Sequence, residues 1–297
     1  MASKLDPHKD EIQRKLEAGL SVSEIVSQGY GVARSTMEEF IAKNIALPNK
    51  EGIEKWLIVP DTHAPYHDER AWAVMLNAAT AFRPDGVIHL GDLADFYAVS
   101  AHSKDPTRMD RLDEELVVVR GCRADLDGLG ATKKKFVEGN HEDRFRRYIE
   151  DKSPELYGLL NTDSLLELSD NEWELTPYRE ATKIGEVYFT HDTGNSGKYT
   201  TARALDAFQH SVVIAHHHAI QYAVEGNATG TYRVGAQFGW LGDPEKADYL
   251  HRIKALRNWS PGFGIGYHDL ATGLVYLVPV PIVNYTACVE GAIYGTE

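Results

Sequence analysis

Five short segments between residues 61 and 218 carry side chains of the kind that hold metal ions: Asp61-Thr62-His63, Gly91-Asp92, Gly139-Asn140-His141-Glu142, His191 and His216-His217-His218. Imidazole, carboxylate and amide oxygen without thiolate suit Mn2+, Fe or Zn2+. Thiolates would favour zinc-finger or cluster chemistry, and an all-oxygen cage would favour calcium or magnesium. Together the segments amount to a dinuclear site. Two cations about 3.5 to 4 Å apart, joined by a bridging carboxylate, activate a water and bind the non-bridging oxygens of a phosphoryl group. Each ligand taken singly has an ordinary explanation: Asp61 as a helix N-cap, a lone histidine as a satisfied core residue, Gly139-Asn140 as a turn. Five such segments in one chain make coincidence the weaker account.

The elements that must position these groups are legible as apolar runs ahead of them. Trp56 to Val59 precede Asp61, Val87 to Leu90 precede Asp92, Lys135 to Val137 precede Asn140, Val187 to Phe189 precede His191, and Val212 to Ile214 precede His216. Buried strands thus end in ligands. In an open α/β sheet the crevice beyond the carboxyl ends of the strands gathers ligands, so these ends are expected to converge. Helical periodicity over Glu69 to Phe82, Arg111 to Leu129, Glu142 to Asp151 and Thr200 to Phe208 makes the first half βαβ-like. After His218 the short segments 220–224, 229–234, 263–267 and 273–283 predict antiparallel strands completing a second sheet.

Residues 7 to 45 carry apolar side chains at helical spacing, punctuated by Gly19, Gly29 and Gly31, and predict three short helices. Ser21 with Glu24 forms a capping-box start, and Arg34-Ser35-Thr36 opens the third helix. The layout resembles a helix-turn-helix, in which Arg34, Ser35, Thr36 and Lys43 would face DNA. Against this, Glu38 and Glu39 share that helix, and residues 1 to 50 hold seven basic and seven acidic side chains, a poor footprint for a groove binder. A small helical cap or dimerisation element is the competing reading. The expected organisation is a helical domain over 1–47, a linker over 48–53 around Pro48-Asn49-Lys50-Glu51-Gly52, and a main domain over 54–297.

A net charge of −13 argues against global attraction to nucleic acid or anionic membrane, although bound cations can reverse the field locally. Cys122 and Cys288 are too few for a disulfide framework, and the longest apolar run, Leu274 to Val283, is too short to span a bilayer. A cytoplasmic protein is expected, in the host cytoplasm if phage-encoded. Oligomeric state leaves no mark in the sequence.

The ordered series Asp-x-His, Gly-Asp, Gly-Asn-His-Glu, His and His-x-His resembles the calcineurin-like metallophosphoesterase superfamily over roughly residues 53 to 285. The resemblance implies an α/β fold, a two-sheet αββα sandwich, and a hydrolase of phosphate esters that uses metal-activated water. It implies that Asp61, His63 and His218 bind one divalent ion, that Asn140, His191 and His216 bind the other, and that Asp92 bridges them. Mn2+ is the expected metal, with Fe or Zn2+ as alternatives. His141 would protonate the leaving oxygen, with Asp95 orienting it.

Departures bear on substrate. Where the protein phosphatases of the superfamily have a phosphate-gripping arginine after this carboxylate, Phe96 follows Asp95, and the last motif opens with Ala215 in place of glycine. Gly91 to Ser100 followed by Lys104-Asp105-Pro106, then 139–145 and 258–263, resembles a phage-encoded branch of these enzymes. Arg144, Arg146 and Arg147 supply a candidate phosphate grip, with Arg144 and Arg147 the substrate contacts expected, although charge runs on short helices are commonly solvated faces. Residues 193–198 lack the spacing of a nucleotide-binding loop and suit an active-site rim. Tyr232, Phe238, Trp240, Tyr249 and Trp259 are better suited to packing the second sheet than to stacking bases. The expected substrate is a phosphodiester in DNA. A phosphomonoester of a protein, nucleotide or small molecule is the alternative, and a DNA-binding or scaffold protein with a decayed esterase domain is a third reading that the complete ligand set disfavours.

Overall fold

The computed structural model describes residues 4–17, 20, 22–44, 52–101, 111–228, 230–246 and 258–296, with the main chain alone at 17 and 42–44. The chain divides into two compact units, Met1–Ile53 and Glu54–Glu297. The expected Ser21 cap, most of the 48–53 linker, Lys104-Asp105-Pro106 and Tyr249 lie outside the described residues.

In the first unit α1 (Lys9–Glu17), α2 (Val22–Ser27) and α3 (Arg34–Asn44) enclose Leu5, Ile12, Ile25, Met37, Phe40 and Ile41, each nearly inaccessible. This is the apolar face that the helical spacing predicts. The Tyr30 hydroxyl donates to Glu11 Oε1 at 2.9 Å and accepts from Lys15 Nζ at 2.7 Å, tying the turn before α3 back to α1.

The second unit is built on β1 (Ile53–Val59), β2 (Gly86–His89), β3 (Lys133–Val137) and β4 (Trp173–Thr176), which pair parallel in that order. The helices of this half are α4 (Glu69–Phe82), α5 (Leu112–Asp127), α6 (Asn140–Lys152) and α7 (Thr162–Leu166). Next come β5 (Thr182–Ile184), β6 (Val187–Phe189), α8 (Thr200–Phe208), β7 (Val212–Val213), β8 (Ile220–Gly226) and β9 (Tyr232–Phe238), whose strands form a second sheet in the order β5-β6-β7-β9-β8. The chain ends with β10 (Gly262–Asp269), β11 (Val275–Pro281) and a small hairpin of β12 (Thr286–Val289) and β13 (Ala292–Gly295).

Strand alternation sorts the apolar residues into layers. Trp56, Ile58 and Ile88 point between the sheets and meet Phe189, Val213, Ala236 and Phe238, while Leu57, Val59 and Val87 point outward onto Trp72, Met75 and Phe82 of α4 and Val119 of α5. On the far side Ala204 and Leu205 of α8 cover Val212 and Ile214. The result is an αββα sandwich, as the sequence implies.

One expectation is corrected. Only β8 and β9 join the second sheet, whereas β10 and β11 return to the first, in the order β11-β10-β1-β2-β3-β4. The cause is the Gly262-Phe263-Gly264-Ile265-Gly266 alternation. Phe263 and Ile265 join the core under α4, and a Cβ at Gly264 would lie 2.6 Å from the Phe238 ring. Glycine there lets the two sheets close.

Candidate metal centre

The loops after β1 and β2 are zipped together by main chain. Thr62 and His63 N–H both donate to the Asp92 carbonyl, at 2.9 and 2.8 Å, and Ala64 N–H donates to Leu93 O at 2.8 Å. Beneath them runs a buried relay: Gly91 N–H donates to His89 Nδ1 (3.1 Å), His89 Nε2 faces Thr62 Oγ1 (3.0 Å), and Thr62 Oγ1 donates to Pro60 O (3.2 Å). With Nδ1 accepting, the neutral ring carries its hydrogen on Nε2, so every member is satisfied. The turn into α6 presses on the same loop. A Cβ on Gly91 would meet Gly139 N at 2.5 Å, and one on Gly139 would meet Asp92 Oδ1 at 2.1 Å. Buried Glu142, in the first turn of α6, accepts from Gly139 N (2.8 Å), Asp92 N (2.8 Å) and Ala94 N (3.2 Å). One carboxylate thereby clamps two ligand loops.

The convergence read from the strand ends is present in space. Asp61, His63 and His218 bring ligand atoms within 4.8 Å of one another, as do Asp92, His191 and His216, and as do His63, Asp92 and His141. His63 Nε2 lies 3.1 Å from His218 Nε2, which is 2.9 Å from Asp61 Oδ2. On the other side His191 Nε2 lies 3.0 Å from Asn140 Oδ1 and 3.4 Å from Asp92 Oδ2. Donors each about 2.1 Å from a shared ion, at right or tetrahedral angles, stand about 3.0 to 3.4 Å apart. The observed spacings fit that requirement, and Asp61 Oδ2 is buried without an aligned hydrogen bond. His191 and Asp61 are fully buried. His216, whose N–H donates to Asp61 Oδ1 at 3.1 Å, is less so. His217 packs edge-on against His216, outside the three clusters.

His141 sits beside the pair. Its N–H donates to Asp92 Oδ1 at 2.9 Å, its Nδ1 donates to the Asp95 carbonyl at 2.8 Å, and its Nε2 lies 3.8 Å from Asp92 Oδ2. The Asp95 carboxylate stands between His63 Nδ1 (3.3 Å) and His141 Nδ1 (3.4 Å). Arg144, one turn along α6, donates to the Asp95 carbonyl and to His141 Nε2. Arg146 and Arg147 turn away to Asp143, at 2.7 and 3.0 Å. Phe96 is wholly buried and stacks on Phe145, its N–H held by Glu115.

Electrostatics match the layout. Burial opposes ionisation of Asp92, yet His141, His191 and His63 outweigh it and hold the carboxyl well below its usual range. Burial likewise disfavours the His191 cation, but Asp92 pushes its pKa up to about 10. Burial pulls His218 down to about 4 against the pull of Asp61. Burial and the Asp92 charge raise Glu142 to about 7. Buried carboxylates facing imidazoles supply the donors that divalent ions take, with proton release on binding.

Of the proposed DNA contacts, Arg34, Ser35 and Thr36 are exposed at the start of α3, Arg34 paired with Glu38 at 2.6 Å, and the Lys43 side chain is outside the described set. Sequence reasoning gave no separate site role to Glu142, His89 or Glu115 and read Trp240, whose ring stacks on His218 at 4.6 Å, as packing alone. Glutamate two places after Asn140 was the one visible signal.

The family model for calcineurin-like phosphoesterases matches residues 55–265. The Gene 54 protein of Mycobacterium phage D29 is 25% identical over 263 residues, covering 80% of this chain and 97% of that protein. The crystal structure of TT1561 of Thermus thermophilus aligns with 76% of this chain and 99% of its own at 9% identity, with a TM-score of 0.34.

Proposed function

The chain belongs to the calcineurin-like phosphoesterase family and is a metal-dependent phosphoesterase, and from that premise we propose that it cleaves phosphodiesters in DNA. Asp61, His63 and His218 would hold one divalent ion, Asn140, His191 and His216 the other, with Asp92 shared between them. Mn2+ is the proposed metal, with Fe or Zn2+ as alternatives. When bound, the cations activate water and neutralise charge on the phosphoryl oxygens. The chain's own part is orientation and proton delivery. With Nδ1 held by the Asp95 carbonyl, His141 turns Nε2 toward Asp92, and in its doubly protonated form it would give the Nε2 proton to the leaving oxygen.

The observation that carries the polymeric substrate is the first unit, a three-helix body with its own core and an exposed start to α3. Burial of Phe96, where protein phosphatases have an arginine, supports a diester over a phosphoprotein. The test is a matched assay with Mn2+ of bis-p-nitrophenyl phosphate, p-nitrophenyl phosphate, and single- and double-stranded DNA. Diesterase preference with DNA cleavage is expected, and deletion of residues 1–50 should lower DNA affinity while sparing the small diester. The net charge of −13 weighs against a polyanionic substrate and so supports a second reading, a phosphomonoesterase acting on a protein, nucleotide or small molecule. Monoester preference with intact DNA would establish it in place of the first.

A further inference from the structure

The arginine run on α6 divides by geometry. Arg146 is 48% exposed and held outward by Asp143 and Glu150, and Arg147 is 56% exposed and held by Asp143. Arg144 is 15% exposed and turns inward, where its salt bridge to Asp95 is long at 3.7 Å. Its Nη1 donates to the Asp95 carbonyl at 3.0 Å and its Nη2 approaches His141 Nε2 at 2.7 Å. Arginine has no acceptor, so Nη2 donates and the imidazole nitrogen accepts.

We infer that Arg144 is a substrate-binding residue that grips a non-bridging phosphoryl oxygen, delivering from α6 the guanidinium that position 96 does not supply. The inference rests on the phosphoesterase reading of the same site. Phe96 is in the core against Phe145, yet Asp95, its neighbour, is the residue whose carbonyl anchors Arg144, so the guanidinium reaches the same corner from another element. His141 Nε2 lies 3.8 Å from Asp92 Oδ2, which places Arg144 within one hydrogen bond of the group that faces the leaving oxygen. A phosphoryl oxygen is anionic and a better acceptor than a neutral imidazole. Its arrival therefore draws Nη2 off His141, with two results: the phosphoryl group is held, and Nε2 is released from the guanidinium. Lysine would supply the charge without the fork that spans the Asp95 carbonyl and a phosphoryl oxygen together.

The experiment compares full-length wild type, Arg144→Ala, Arg144→Lys and Arg146→Ala, each loaded with Mn2+ and checked for equal metal content. Two readouts are taken: kcat and KM for p-nitrophenyl and alkyl phosphate esters, and the Kd of inorganic phosphate by calorimetry. Arg144→Ala should raise KM and phosphate Kd roughly 10- to 100-fold whatever the leaving group, the loss expected for one hydrogen bond to a charged group. Arg144→Lys should recover part of it, and Arg146→Ala should match wild type. Unchanged KM and Kd, with a fall in kcat confined to alkyl esters, would overturn the inference and make Arg144 a positioning residue for His141. Equal effects from Arg146→Ala would also overturn it, as a general effect of charge. If the wild type binds phosphate but hydrolyses no ester, the phosphoesterase reading falls while the calorimetry still decides Arg144.

Discussion

The two ends of the parallel strands β1, β2 and β3 are chemical opposites. At their carboxyl ends Asp61, Asp92 and His141 are buried together, with His191 from the end of β6 beside them. At their amino ends Lys133, Lys135, Lys183, Glu54, Glu174 and His268 rim a cleft of about 370 Å³. There the charges meet as ordinary pairs: Lys133 with Glu54, Lys135 with Glu174 at 2.6 Å, His268 with Glu54 at 3.1 Å, and Lys133 and Glu174 are more than half exposed. Burying a carboxylate is costly unless a counter-charge compensates it. The carboxyl end of the sheet is thus suited to cations, while the amino end keeps its charges within reach of water.

Substitutions at the two ends should differ in effect by orders of magnitude. Asp92→Asn should have the largest effect: at least about a 1,000-fold loss of activity, because it would remove the carboxylate proposed to be shared by the two ions. Metal analysis should show both ions weakened together, and selective loss of one would contradict a shared role. His141→Ala should retain both ions and lose roughly 100- to 1,000-fold on alkyl esters, with little loss on p-nitrophenyl esters, whose leaving group needs no proton. Equal losses on both would remove His141 from proton transfer.

A subtler effect belongs to His89. Burial lowers its pKa from the ordinary 6.5 to about 3. A lowered histidine contributes stability that is complete above pH 6.5 and is lost as pH falls toward 3, because the unfolded chain takes up a proton that the folded chain refuses. In metal-free protein, the unfolding free energy of wild type relative to His89→Gln should fall by about 1.4 kcal/mol per pH unit across that window. A constant gap in denaturant titrations at pH 6.5 and 4.5 would mean that His89 is charged in the fold. The smallest effect is expected at the other end. Lys133→Ala should change stability by less than about 1 kcal/mol and leave activity unchanged, since Lys133 is 52% exposed. A larger shift would mean that the amino end is not the passive one.

Much of this was legible in the chain itself. The α4 and α8 spans match their apolar periodicity end to end, and the strand ahead of each ligand lies where its apolar run stands, because a buried strand must be apolar on both faces. Short strands with polar neighbours were not legible. Thr182-Lys183-Ile184 has too few residues to show alternation, and β4 carries Glu174 between apolar neighbours. At the site, ligand types and order are written in the sequence, while Glu142 reads only as an acid in a first helical turn. Its work depends on which loop lies opposite, and that is a tertiary fact. Likewise His89 resembles any core histidine until Gly91 and Thr62 are seen on either side of it.

His63, Asp92, His216 and His218 have φ of 56°, 52°, 69° and 56°. Residues with a Cβ hold that left-handed conformation at roughly 1 to 2 kcal/mol each, so the centre is locally reluctant to keep its shape. Cations that bind only the folded arrangement favour it by RT ln(1 + [M]/Kd). The ions are therefore fasteners as well as reagents. A chelator would loosen the loops from Asp61 to Ala64 and from Gly91 to Ala94 to proteolysis well before it unfolds the sheets, and the supply of metal would set the protein's lifetime together with its rate.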